Sequence, residues 1–130
     1  MPLVIILCPS CSDIGTLGSP ISIPRKEEQM KYEKEFKLMI AKWGEIDQID
    51  MCIEEMAELT KALSKYKRLL RFPENHKDKE QEYMDNLKEE IADVLLTVGQ
   101  MQLNFGEEEV NKICDQKIER CINRFFKEEV

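Results

Sequence analysis

From Phe36 to Phe125, apolar residues return every three or four positions, and the pattern is punctuated at Gly44, Pro73 and Gly106. That spacing is the 3.6-residue period of a helix, and no stretch here alternates as a half-buried strand does. The fold class that follows is all-α: four helices with short joins, returning beside one another as an antiparallel four-helix bundle. Phe36, Met39, Ile40 and Trp43 mark the first helix, for which Ser22 followed by Pro24 offers a start and Gly44 an end. The second runs from near Glu45 to about Arg71 with Ile49, Ile53, Met56, Thr60 and Leu63 on one face, until Pro73 stops it. A polar loop, PENHKDKE, then holds the only histidine, His76, in solvent. The third helix spans about Lys79 to Phe105 on a stripe of Met84, Leu87, Ile91, Leu95 and Val98, with Gly106 as terminator. The fourth extends from Glu107 to about Lys127, with Val110, Ile113, Lys117, Cys121 and Phe125 spaced for packing.

With 130 residues and a 42% hydrophobic share, the chain has material for one modest core. Residues 25–130 form the helical domain. Residues 1–24, rich in Ser, Pro, Gly and Ile and without Lys or Arg, are set apart as an N-terminal arm outside the core, with a short edge strand or sequence extraneous to the domain as the alternatives. The opening MPLVIIL is too short to span a bilayer and lacks the basic start of an export signal, so a cytoplasmic location with no membrane partner is expected. Five cysteines, an odd number at irregular spacing, fit a reducing compartment. Cys52, Cys114 and Cys121 read as small buried residues, and the CPSC of Cys8 and Cys11 lacks a second pair to complete a zinc site. Asp and Glu outnumber Lys and Arg by 26 to 19, a net charge of −7 that excludes a general nucleic-acid binder. A nucleotide substrate is compatible with this acidity, because carboxylates attract a divalent cation and the cation attracts phosphate.

A near-repeat carries the chemistry. Ile53-Glu54-Glu55-Met56-Ala57-Glu58-Leu59 on the second helix is echoed by Lys88-Glu89-Glu90-Ile91-Ala92-Asp93-Val94 on the third. At 100° per residue, Glu55 and Glu58 share one side of their helix, as do Glu90 and Asp93 of theirs. Both pairs flank apolar stripes, so both can border one groove, with Ala57 and Ala92 small enough to let the helices approach. Four carboxylates gathered there repel one another and call for a positive partner. An oxygen-only ligand set suits Mg²⁺, with Mn²⁺ as a substitute. The competing reading is an acid-rich surface, which Glu-rich helices produce often; duplication with matching flanks favours the metal.

These motifs resemble those of the all-α NTP pyrophosphatase superfamily, the MazG-like proteins, whose signature is ExxE followed by ExxD on successive helices. Here the signature is Glu55-Met56-Ala57-Glu58 and Glu90-Ile91-Ala92-Asp93, and the resemblance covers roughly residues 43–124, including Gln48 upstream of the first motif. The stretch between the motifs is longer than usual in that family, with PENHKDKE as the insertion. The resemblance implies a Mg²⁺-dependent hydrolase that cuts a nucleoside triphosphate, in the first instance a dNTP, at the α–β bond to monophosphate and pyrophosphate. It further implies that Glu55, Glu58, Glu90 and Asp93 hold the metal, and that Lys117, Arg120 and Arg124 of the fourth helix grip phosphates. Glu54 and Glu89, next to each pair, are candidates to orient the attacking water or to add ligands; solvent-facing positions are the alternative. Trp43 is a candidate to stack on the base and Gln48 to hydrogen-bond base or sugar, although a lone Trp at a helix end is often a core residue.

Two rivals remain. A di-iron bundle protein needs Glu-x-x-His twice, and the one histidine is in the wrong place. A non-catalytic helical oligomerisation module would leave the acids as a wet face. Apolar stripes on all four helices exceed what one small chain buries, so a homodimer or homotetramer is expected, as the resemblance also implies.

Overall fold

The computed structural model describes residues 30–126. The arm 1–24, Cys8 and Cys11, and the helix start expected at Ser22 and Pro24 lie outside the described residues.

Every regular element described is helical. Helix α1 spans Glu33–Trp43, α2 Glu45–Arg71, α3 Glu80–Phe105 and α4 Glu107–Phe125. The bounds of α2, α3 and α4 fall within two residues of those read from Pro73, Gly106 and the hydrophobic period. The loop expected over PENHKDKE is tightened into two 3₁₀ turns, Pro73–Asn75 and Lys77–Lys79. Among the described residues, helix α1 begins at Glu33. Tyr32 takes a left-handed conformation, φ 68°, and interrupts any helix entering from Met30. Its ring packs at 6.2 Å from that of Phe36, one turn inside. Gly44 and Gly106 terminate α1 and α3 at φ 88° and 113°, a backbone region that side chains with a Cβ avoid. Each join is thus one residue long.

The two longest helices described, α2 and α3, are each about 40 Å long and make the most extensive helix pairing among the described residues. They run antiparallel, with the end of α3 beside the start of α2, where Asn104 Nδ2 donates to Glu45 Oε1 at 3.0 Å. Helix α1 lies against both and buries Phe36. Gly99 permits that contact: a Cβ there would stand 2.7 Å from Phe36 Cε2. Helix α4 has no buried residue; Gln102 Nε2 to Asn111 Oδ1, 2.7 Å, ties its start to the end of α3.

The buried faces of α2 and α3 share only Leu87 with the expected stripes, of which Ile49 and Met84 are half-buried. On α2 the inner positions are Gln48, Cys52, Ala62 and Leu69, and on α3 they are Leu87, Thr97 and Gln100. Ile53, Met56 and Leu63 are exposed, as are Ile91, Leu95 and Val98, with Leu95 at 67%. Ala57 and Ala92 are exposed as well and do not mediate the close approach; Cys52 and Ala62 occupy the seam. On α4 Ile113, Lys117 and Phe125 face solvent, and Cys114 is exposed rather than buried. The reason lies in register: α2 and α3 meet along a narrow face where Cys52, Ala62, Leu69 and Leu87 are buried with Gln48, Thr97 and Gln100, and most of their bulkier apolar residues point away.

Candidate functional site

The acidic pairs sit near the middle of α2 and α3, where antiparallel register sets Glu55 opposite Asp93. Glu55, Glu90 and Asp93 are half-buried, and each offers a carboxylate oxygen such that all three lie within 4.8 Å of one another. Burial pushes the Glu55 carboxyl above its ordinary value, and the charges of Asp93, Glu90, Glu54 and Glu58 push it further. Three acids from two helices held this close destabilise one another unless a cation or proton intervenes. The donor set is all oxygen, which is the set hard divalent cations take.

The fourth expected ligand stands aside. Glu58 Oε2 pairs with Lys61 Nζ at 3.3 Å on the same helix. An exposed pair of this kind is weak, so it holds Glu58 only loosely. Glu54 and Glu89 are exposed beside the trio. Lys117 and Arg124 are exposed on α4 and make no ion pair with the trio; Arg124 rests over the Phe125 ring at 5.2 Å. Arg120 is half-buried. The chain by itself therefore brings the acids together without an ion pair from Lys117 or Arg124.

Trp43 and Gln48 do come together. Both line a cavity of about 580 Å³ bounded by α1, α2 and α3, a volume within the range of small-molecule sites. Trp43 is 49% exposed and carries the Lys42 ammonium 5.0 Å from its ring centroid, whereas Gln48 is 6% exposed. Met39 and Met51 supply apolar wall, and Asp47 and Asp50 supply carboxylates. Thr97 and Gln100 complete the lining, and sequence reasoning passed over both. A signal for them existed: Glu90, Asp93, Thr97 and Gln100 are spaced three, four and three apart, a polar stripe along one side of a helix. Along α2, Gln48 and Glu55 share a side in the same way. Cavity and acid trio thus lie on matching faces of both helices, two turns or about 10 Å apart.

No family model, curated protein or solved structure matches this chain. Among the described residues no helix is long and apolar enough to cross a membrane.

Proposed function

We propose that the chain is a Mg²⁺-dependent nucleoside triphosphate pyrophosphohydrolase of the all-α, MazG-like kind, releasing a monophosphate and pyrophosphate from a dNTP. The observation that carries this reading is the half-buried trio Glu55, Glu90 and Asp93, with ligand oxygens within 4.8 Å drawn from two helices. A merely wet acidic face gains nothing from such convergence and loses free energy to repulsion. Bound Mg²⁺, or Mn²⁺ in its place, would neutralise charge developing on phosphoryl oxygens and acidify the attacking water.

The protein's own groups do the rest. Glu58, released from Lys61, adds a fourth carboxylate from the turn next to Glu55. Glu54 and Glu89 stand at the solvent edge, where a carboxylate accepts the proton of the water whose oxygen bonds to the α-phosphorus as the bridge to pyrophosphate breaks. The cavity two turns away accommodates base and sugar against Trp43 and Gln48.

Gripping the phosphates calls for Lys117, Arg120 and Arg124, and these belong to a helix that leaves the α2–α3 hairpin. A second copy of the chain completes the arrangement in this reading. Its packing would cover the exposed stripes of α2 and α3, close the helical bundle, and lay a basic α4 across the acid groove. Three free cysteines among the described residues, Cys52, Cys114 and Cys121, accord with a reducing cytoplasm.

The test is incubation of the full chain with a panel of dNTPs and NTPs plus Mg²⁺, with products resolved by anion exchange. Monophosphate and pyrophosphate are expected, and Asp93→Asn or Glu90→Gln should lower the rate by more than about 100-fold. Orthophosphate as the first product, or unchanged turnover in both variants, contradicts the proposal. Chains that respond to neither metal nor nucleotide would favour the oligomerisation module.

A further inference from the structure

Helix α2 carries a second pattern on its open side. From Ile46 to Leu70, positions reached in alternating steps of three and four are apolar, with Thr60 and Lys67 as the two exceptions. A strict seven-residue repeat of that kind is the seam of a coiled coil, into which a second helix fits. Its ends, Ile46 and Leu70, are 75% and 63% exposed, and Ile53, Met56 and Leu63 between them are exposed too. Helix α3 keeps the same steps from Met84 to Phe105, with Ile91, Leu95, Val98 and Phe105 exposed. On each helix the seam lies about 120° round from the line along which the two helices meet. Because the helices run antiparallel, both seams emerge on one side of the hairpin. Charge also divides α2 at its middle. Residues 45–59 hold six carboxylates and no cation, and residues 60–71 hold five cations and no carboxylate. The carboxylate end sits beside the start of α4, where Glu107, Glu108 and Glu109 follow. Asp50, Lys67 and Arg71 enter no ion pair with a described residue. A copy laid parallel would set like charges together, and a copy laid antiparallel sets each half of α2 against its opposite.

We propose that two copies pair through this side of the hairpin, α2 antiparallel to the partner's α2 about a two-fold axis level with Glu58, and that Lys67 fixes the register. The proposal rests on the second copy invoked in the nucleotide reading and adds which faces and which ends meet. Laid end for end on itself, the seam sets Ile46 against the partner's Leu70 and Ile53 against the partner's Leu63. Lys67 then stands against the partner's Ile49, between Glu45 and Asp50 of that copy, and Arg71, one turn on, comes level with the partner's Glu45. A lone charge in an apolar seam is costly unless neutralised, so it selects one register over the others. Slipped by one heptad, Lys67 would meet Met56 flanked by Cys52 and Ala57, without a carboxylate on either side; slipped the other way, it would pass the start of α2. Glu55 stands level with Asp93 across the hairpin, so the same axis sets Met84 of α3 against the partner's Leu95 and closes both seams at once. It also brings the partner's Lys67 beside Asp50, at the rim of the cavity lined by Trp43 and Gln48.

Zero-length carbodiimide coupling joins a lysine to a carboxylate in contact with it. Lys67 lies about 25 Å along α2 from Asp50 and farther from Glu45, so neither coupling can form within one chain. Unlabelled and ¹⁵N-labelled full chains are mixed, re-equilibrated, coupled and digested, and the peptides are read by mass spectrometry. Mixed-isotope peptides joining Lys67 to Glu45 or Asp50 are expected. Lys67→Glu should weaken the dimer about tenfold in sedimentation while keeping its helical circular dichroism. Adding Asp50→Lys to the same chain should restore most of the loss, since opposite charges then face each other again. A monomeric wild type, a dimer without those peptides, Lys67 coupled across copies to carboxylates elsewhere, or no recovery in the double variant would overturn the pairing. Neither readout involves turnover, so the outcomes separate. A dimer without these contacts removes the pairing and leaves the hydrolase to the nucleotide panel, and a correctly paired dimer that releases no pyrophosphate does the reverse.

Discussion

Replacing Glu55 by Gln should make the metal-free protein more stable and the metal-loaded protein no better. Glu55 faces two carboxylates whose oxygens lie within 4.8 Å of its own. At that distance two unit charges repel by about 0.9 kcal/mol in bulk water and about 3.5 kcal/mol at the effective dielectric of a protein surface. The trio is half-buried, its side chains can swing apart, and physiological salt screens it, so the relief summed over both partners is about 1–2 kcal/mol. For a domain of this size that raises Tm by roughly 4–10 °C. Mg²⁺ at a hundredfold excess over its Kd adds about 2.7 kcal/mol to a protein that binds it. The wild type should therefore overtake Glu55→Gln once Mg²⁺ is present, because the variant forfeits most of that gain. Paired thermal melts in EDTA and in Mg²⁺ read both arms. A variant that melts at or below the wild type in EDTA shows that the three carboxylates do not burden one another. A variant that gains as much from Mg²⁺ as the wild type shows that they do not hold the ion.

The raised Glu55 carboxyl sets a pH dependence with a definite sign. The folded state holds this proton more tightly than the unfolded chain, so the contribution of Glu55 to metal-free stability is greatest below about 4.5, the ordinary glutamate value, and is lost as pH rises through the raised value. The Tm gain from Mg²⁺ should accordingly grow with pH across that window, and a gain independent of pH would contradict the shared site. Gly99→Ala gains about 1 kcal/mol of helix propensity but forces a methyl to within 2.7 Å of buried Phe36, an overpacking that costs about 1–3 kcal/mol. A net drop in Tm is expected by calorimetry, and a rise would mean that the ring swings clear at no cost. Leu63→Asp with Leu95→Asp places charge on both exposed stripes. Light scattering should show the wild type as a multiple of 15.3 kDa and the double variant as a monomer that retains its helical circular dichroism; a monomeric wild type would remove the second copy from the account of the site.

The helices follow from local sequence alone. Pro73 removes a backbone donor, Gly44 and Gly106 admit positive φ, and between these points the apolar period is long enough to leave one local solution. The acidic pairs follow in the same way, because residues three apart share a side of a helix whatever else the chain does. Which faces meet is settled by long-range packing. Hydrophobic periodicity records that a residue is driven from water and not what covers it, so stripes on Ile53, Leu63 and Leu95 read as core although this chain leaves them open. Register between α2 and α3, set by contacts far apart in sequence such as Asn104 with Glu45, chose Glu55, Glu90 and Asp93 from the four acids and left Glu58 with Lys61. The same register buried Gln100 beside the cavity. Such choices are invisible along one helix because they depend on how two helices slide past each other, and each step of that sliding exchanges one set of neighbours for another.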